Sequence, residues 1–285
     1  MRRDVGAAAT ADTREGWRRQ ARALVATSAV VGLLLGALTL ATAHAAGRDA
    51  VQAWFFDAPS RPVGNLASLR KRAEAGDKTA QLDYARQLFH SGKSSIAVVW
   101  LTEANNQGSI RAEDLLGLLY EKGEGVVQDL GQSRYFYGKA ADQGYAPAEF
   151  RLGKLWMNFE FDDPDSLNQD SNTLASKLAE GAAMMRRAAD QGYGPAQYAF
   201  GLALLNGNGV RKDPRLALAY FRLACAQGLA KAAYMAGWVY ATSPGDLHDP
   251  ELARHELKTT ISLAGEGTAY ARDAQALLLH LAIAR

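Results

Sequence analysis

From residue 80 onward, small and large apolar positions alternate at helical spacing. A pair of small residues five apart recurs at Ala80/Ala85, Ala112/Gly117, Ala148/Gly153, Ala196/Gly201 and Ala232/Gly237, in steps of 32, 36, 48 and 36 residues. Three residues after each pair stands a larger one: Leu88, Tyr120, Trp156, Leu204 and Tyr240. Small then large on one face predicts a helix, here helix A, that lets a neighbour come close and then fills the gap. A second face runs through Trp100/Ala104, Phe136/Ala140, Met184/Ala188 and Tyr220/Ala224. Each of these runs stops at a Gln-Gly dipeptide: Gln107-Gly108, Gln143-Gly144, Gln191-Gly192 and Gln227-Gly228. They predict a second helix, helix B, closed by a glycine in the left-handed region.

A fixed period near 36 residues means that one helix-turn-helix unit is copied along the chain. Two copies join A to B through Gly123-Glu124-Gly125-Val126 with Asp129, and Gly207-Asn208-Gly209-Val210 with Asp213. The glycines permit a tight reversal, the valine can tuck between helices, and the aspartate caps helix B. Asp213-Pro214 and Asp249-Pro250 put proline at the first helical position, where its missing N–H costs nothing. Leu66 to Gly76 reads as an unpaired helix B, and Ala269, Ala274 and Leu277 repeat the helix A frame as a closing cap.

Ala112 to Gly144 and Ala196 to Gly228 resemble the Sel1-like repeat family, whose pattern runs A-x-x-x-L-G-x-x-Y-x-x-G-x-G-V-x-x-D, an aromatic pair, then A-A-x-Q-G. The resemblance spans about residues 66–280. Repeat one departs from it with only Ser91-Gly92-Lys93 before helix B; repeat five replaces the loop with Ala241 to His248 and shows Glu266-Gly267 in place of Gln-Gly. The resemblance implies a right-handed α/α solenoid of about five repeats with terminal capping helices. It also implies a non-enzymatic protein-interaction scaffold. Similar exported proteins serve in envelope assembly, polysaccharide secretion or signalling, or as immunity proteins that neutralise a secreted toxin. A toxin-neutralising role is the alternative reading; a cell-wall-acting hydrolase is the alternative from another class.

Residues 23–43 are uncharged and rich in Ala, Leu and Val, and six arginines stand before them (2, 3, 14, 18, 19 and 22). This order places the N-terminus in the cytoplasm and the repeats across a membrane. Ala43-His44-Ala45 offers a small-x-small cleavage site, so residues 1–45 read either as a signal peptide or as an uncleaved anchor. Residues 46–65 then form a linker and 66–285 the solenoid, in the periplasm, soluble after cleavage near Ala45 or anchored in the inner membrane. Removing the six arginines and three acids of residues 1–45 from the chain's 32 bases and 30 acids leaves 26 against 27. The formal +2 of the whole chain therefore belongs to the export segment and is no nucleic-acid footprint.

Chemistry is sparse. No cofactor and no metal site is expected, since His44, His90, His248, His255 and His280 are scattered and the Gly-x-Gly pairs follow helices rather than strands. No His-Glu-x-x-His and no Gly-x-Ser-x-Gly occurs. The single cysteine, Cys225, takes a slot that alanine holds in other repeats. Glu160, Asp162, Asp163 and Asp165 fall in the 12-residue insertion of repeat three, which reads as a solvated or partner-contacting loop.

By analogy with tetratricopeptide arrays helix A is expected to line the inner, concave wall, and its wall positions are predicted three before, one after and four after the second small residue. They are Leu82/Arg86/Phe89, Asp114/Leu118/Glu121, Phe150/Lys154/Met157, Tyr198/Leu202/Leu205 and Tyr234/Trp238/Ala241. Phe150, Lys154, Met157, Tyr198, Leu202, Leu205, Tyr234 and Trp238 are the candidate partner-binding residues. Two readings stay open for them: packing between neighbouring helices, or a groove for a partner's peptide, helix or folded domain.

Overall fold

The computed structural model describes residues 66–157 and 171–283. Gly64–Arg285 is a compact unit of its own. An unpaired α1 (Leu66–Glu74) precedes five hairpins: α2 (Lys78–His90) with α3 (Ser94–Asn106), α4 (Ile110–Lys122) with α5 (Leu130–Asp142), and α6 (Ala146–Met157) with α7 (Ser171–Asp190), then α8 (Gly194–Asn206) with α9 (Pro214–Ala226) and α10 (Ala230–Thr242) with α11 (Pro250–Ala264). The cap helix α12 (Ala269–Ile283) closes the series. No strand occurs among the described residues. Consecutive helices pack on one another throughout, and α6 also meets α8 as α10 meets α12. A stack whose A helices touch each other more than its B helices do curves with the A helices inside.

The small positions of helix A receive the large residues of helix B. A Cβ on Gly117 would stand 2.6 Å from the Tyr137 ring, one on Gly201 2.6 Å from the Phe221 ring, and one on Gly237 2.9 Å from Leu257. Ala85 serves the first repeat. In the third, two backbones meet directly: a Cβ on Gly153 would lie 2.7 Å from the Gly181 carbonyl oxygen. Tyr137, Phe221 and Leu257 are wholly buried, each contributing roughly 1.5–3 kcal/mol over exposure to water. In the cap helix the frame shifts. Ala271 and Ala274 are its buried small residues, whereas Ala269 is exposed.

The glutamine of Gln-Gly has a task that the sequence pattern hid. In four repeats the residue after the first small alanine is polar and buried: Gln81, Glu113, Glu149 and Gln197. Each accepts a hydrogen bond from the glutamine that ends its own hairpin. Gln107 Nε2 donates to Gln81 at 2.8 Å, Gln143 to Glu113 at 2.7 Å, Gln191 to Glu149 at 2.7 Å, and Gln227 to Gln197 at 2.8 Å. Lys139 adds an ion pair to Glu113 (3.1 Å) and Arg187 to Glu149 (2.8 Å). Where the acceptor is an amide it also donates, Gln81 to the Ala73 carbonyl and Gln197 to the Ala189 carbonyl, both at 3.2 Å. In repeat five both members are gone: Ala233 is the buried residue, and Leu263 stands six after Leu257 as Gln227 stands six after Phe221. The pair is kept or lost as a unit, as the cost of stranding a buried polar group requires.

The loops obey the same economy of space. Gly123 and Gly207 end helix A in the left-handed region. The second glycine of each loop lies against the preceding repeat's helix B: a Cβ on Gly125 would stand 2.6 Å from the Ser94 backbone, and one on Gly209 would collide with the Leu178 carbonyl. Asp129, Asp213 and Asp249 cap their B helices with side-chain oxygens. Their N–H groups close the loops onto Tyr120, Leu204 and Tyr240 carbonyls at 2.9–3.0 Å. Repeat five thus preserves the closure although its loop is different. That loop contains a 3₁₀ turn, Gly245–Leu247, and is tied to the preceding B helix by an Arg215–Asp246 ion pair.

Gly201→Val should lower stability in urea by about 1–3 kcal/mol, because Phe221 cannot yield without leaving its site. Gly138→Ala, with nothing within 4 Å of its Cβ, should raise it by about 0.4–1 kcal/mol. Equal effects from the two would refute the close-approach account. Gln227→Leu should cost about 1–3 kcal/mol by stranding Gln197. Adding Gln197→Ala, which copies repeat five, should recover most of that loss; no recovery would show that the pair is not the source of it.

Candidate functional site

The inner wall divides into two parts. Over repeats two and three it is closed by a polar knot rather than open to a guest. Asp114, wholly buried, receives both of its hydrogen bonds from Arg151 Nη1 at 2.5 Å, joining α4 to α6. Burial lifts the Asp114 carboxyl above the usual carboxylate range against the pull of Arg151. Burial also works against the Arg151 charge, but Asp114 more than restores it, and the guanidinium is raised. Glu121 accepts from the buried Tyr137 hydroxyl at 2.8 Å and from Lys122 at 2.7 Å. Burial pushes its carboxyl up, yet Lys122, Tyr137 and Lys154 together hold it below its ordinary value. Asp114 and Leu118 were predicted on the wall; both are core, because Arg151 and the next repeat lie over them.

Over repeats three to five the wall is aromatic. Phe150 is half-buried against Tyr193, edge to face at 5.6 Å between centroids. Tyr198 is half-buried 6.0 Å from Phe221, and Met157, Leu202 and Leu205 pack partly onto the same core cluster. Tyr234 lies 6.1 Å from Tyr270 of the cap helix, and Trp238 leaves 39% of its surface exposed. Apart from the exposed Trp238, each of these residues turns one side to the core and keeps another in solvent. Burial, with Tyr270 close by, pushes the Tyr198 phenol up.

Sequence reasoning missed Lys231, Tyr193 and Tyr270. Lys231 stands one residue before Ala232, outside the predicted outward positions, but its long stem carries Nζ to 4.5 Å above the Tyr198 ring of the preceding repeat. Tyr193 is the N-cap residue of α8, and Tyr270 belongs to the cap. No offset counted within one helix A would find any of the three. A lysine directly before an internal small alanine, with an aromatic at the wall position one repeat earlier, is the signal that was available.

The insertion residues Glu160, Asp162, Asp163 and Asp165, and residues 1–45, read from sequence as a signal peptide or anchor, lie outside the described residues. Among the described residues no helix is long and apolar enough to cross a membrane, and no cluster of three metal-ligating side chains occurs. Cys225 is only half-buried, and burial with the nearby Glu256 raises its thiol. Ser68, with Lys71 three residues on, makes a Ser-x-x-Lys spacing of the kind associated with acyl-transfer serines. Both are exposed on the unpaired α1.

An all-α stack of helix-turn-helix repeats with a half-open aromatic wall defines a helical-repeat protein, and comparison places it more narrowly. The Sel1 repeat family model matches residues 110–145, 194–229 and 230–255. The Sel1-repeat-containing protein YjcO of Escherichia coli (strain K12) is 30% identical over 174 residues, covering 59% of this chain and 69% of that protein. The chain belongs to the Sel1 repeat family. The crystal structure of a Sel1 repeat protein from Oxalobacter formigenes superposes with a TM-score of 0.60 at 30% identity, over 74% of this chain and 59% of that one. A 106-residue stretch is 41% identical to DAP3-binding cell death enhancer 1 of Rattus norvegicus, covering 36% of this chain and 20% of that protein. Sel1 repeats form a protein-interaction fold and are generally non-catalytic.

Arg151→Met should cost about 3–5 kcal/mol at neutral pH, because it leaves the Asp114 charge buried and alone. Without Arg151 only the upward push of burial and, behind it, of the Glu121 charge remains, so the folded-state pKa of Asp114 lies above the unfolded one. The penalty is then small below about pH 4 and grows as the pH rises through the carboxylate range. Urea midpoints of the variant and the parent protein across pH would check this; a gap independent of pH would refute it.

Proposed function

We propose that this chain is an exported, non-enzymatic adaptor of the bacterial cell envelope that holds a protein partner against the inner face of its A helices. The observation that carries the reading is the set of aromatic residues on the A helices of repeats three to five, Phe150, Tyr198, Tyr234 and Trp238. Phe150, Tyr198 and Tyr234 are half-buried, and hence already ordered, yet none is fully covered, while Trp238 is exposed. Rigid aromatic anchors of this kind concentrate binding energy because little side-chain freedom is lost on association. The near-neutral balance of residues 46–285 supports a protein partner over a nucleic acid. The basic flank and apolar run at 23–43 support export, with the repeats in the periplasm, either soluble or held at the membrane.

A crosslinked pull-down through a C-terminal tag, from membrane and periplasmic fractions, tests this. Trp238→Ala with Tyr198→Ala should abolish capture while circular dichroism shows unchanged helix content. Loss of fold in that double variant would make the wall a packing feature and sink the proposal. The tagged chain's mass, read in the same experiment, distinguishes cleavage near Ala45 from a retained anchor.

A further inference from the structure

Two cations occupy the aromatic part of the inner face without a carboxylate in ion-pair contact, Lys154 feeling Glu121 only at longer range. Lys154 comes from α6 and Lys231 from the first turn of α10, the helices on either side of α8. Lys154 Nζ lies 5.9 Å from the centre of the Phe150 ring and Lys231 Nζ 4.5 Å from that of Tyr198. Among the described residues neither forms an ion pair. The acids of the same wall are already engaged, Asp114 by Arg151 and Glu121 by Lys122 and the Tyr137 hydroxyl. Asp273, on the cap helix, acts on Tyr234 and Tyr270. Burial lowers both lysines. The charge of Lys154 lowers Lys231 further, while Lys122 and Arg151 bear on Lys154 against the pull of Glu121. Lys231 also sits at the positive end of α10, whose N-cap residue, Leu229, offers no capping side chain.

We propose that the inner face of repeats three to five takes an acidic peptide segment of the partner, with a carboxylate between Lys154 and Lys231 and an apolar side chain against Phe150 and Tyr198. The inference rests on the inner-face reading above and adds the partner's chemistry to it. Two like charges held on one wall repel each other, and an anion seated between them turns that repulsion into attraction. The apolar surface beside them suits a side chain of a folded or extended peptide. A nucleic-acid backbone fits poorly. Its charge continues past the lysines toward Glu121 at one end and Asp273 at the other, whereas a peptide can place its charge at one point.

The full-length protein, purified in detergent, can be titrated into short fluorescent peptides that carry two adjacent glutamates beside a leucine. Glutamine replaces both glutamates in the control peptide. The glutamate peptide should bind, and its affinity should fall about tenfold between roughly 0.05 and 0.5 M salt. Lys154→Gln and Lys231→Gln should each weaken it about tenfold, with helix content unchanged, whereas Lys231→Arg should retain binding. Lys258→Gln, on the exposed side of α11, should have no effect. Equal binding of both peptides, lost on Tyr198→Ala, would overturn the acidic chemistry and leave the inner-face reading standing. Failure of the peptides together with failure of Trp238-dependent capture would remove both. Tighter binding of a single-stranded oligonucleotide would also overturn the proposal. So would a gain in affinity when Glu160, Asp162, Asp163 and Asp165 are replaced by amides, since the chain's own acids would then be the occupant.

Discussion

Helix B can approach helix A in this protein only where helix A carries nothing beyond a Cβ, and often not even that. Tyr137 and Phe221 occupy the space that side chains on Gly117 and Gly201 would need, and in repeat three the Gly153 and Gly181 backbones meet without any side chain between them. Close packing of this kind leaves no room for adjustment. It sets the distance within each hairpin, so the hairpin ends fall where the glutamine can reach the buried polar residue. It also sets where each loop must turn, so the second loop glycine comes to rest on the preceding helix B. With helix B filling the small face, the larger side chains of helix A either pack into the core beside it, as Leu119 and Leu204 do, or face the inner wall.

Much of this architecture was legible because the period is strict and glycine and alanine are hard to misread. The Gln-Gly dipeptides, the loop glycines and the Asp-Pro starts each carry a local reason, and each lies where that reason puts it. What stayed hidden depended on two segments at once. A lone glutamine at a helix end reads as a solvated residue. Its bond to Gln81 or Glu113 exists only once an antiparallel hairpin brings together positions 26 or 30 residues apart. Asp114 looked like a wall residue because its offset was right; its burial is decided by Arg151, 37 residues away in the next repeat. Lys231 escaped for the opposite reason, since its stem crosses from its own repeat to the one before. Offsets within a helix describe a face, whereas long charged side chains act between faces.

The inner wall therefore has two characters along one continuous surface. Toward the N-terminal end its charges answer one another and knit α4 to α6, so that part belongs to the fold. Toward the C-terminal end the aromatics remain half-open, and among the described residues two lysines remain without an ion-pair partner. The division follows the A helices. The side chains of repeats two and three reach across to each other, while those of repeats three to five lie on aromatic rings. A protein-interaction fold needs both, a part rigid enough to hold its shape and a part with something left to offer.

One further consequence lies in the choice between glutamine and glutamate after the first small alanine. An amide accepts from its own hairpin and donates to the helix before it, so Gln81 and Gln197 each stitch two neighbouring units together. A carboxylate can only accept, and Glu113 and Glu149 spend both oxygens within their own hairpins. In a linear array, cooperativity is the sum of such nearest-neighbour couplings. Exchanging a single nitrogen for an oxygen at this position thus adds or removes one of the couplings through which neighbouring repeats open together.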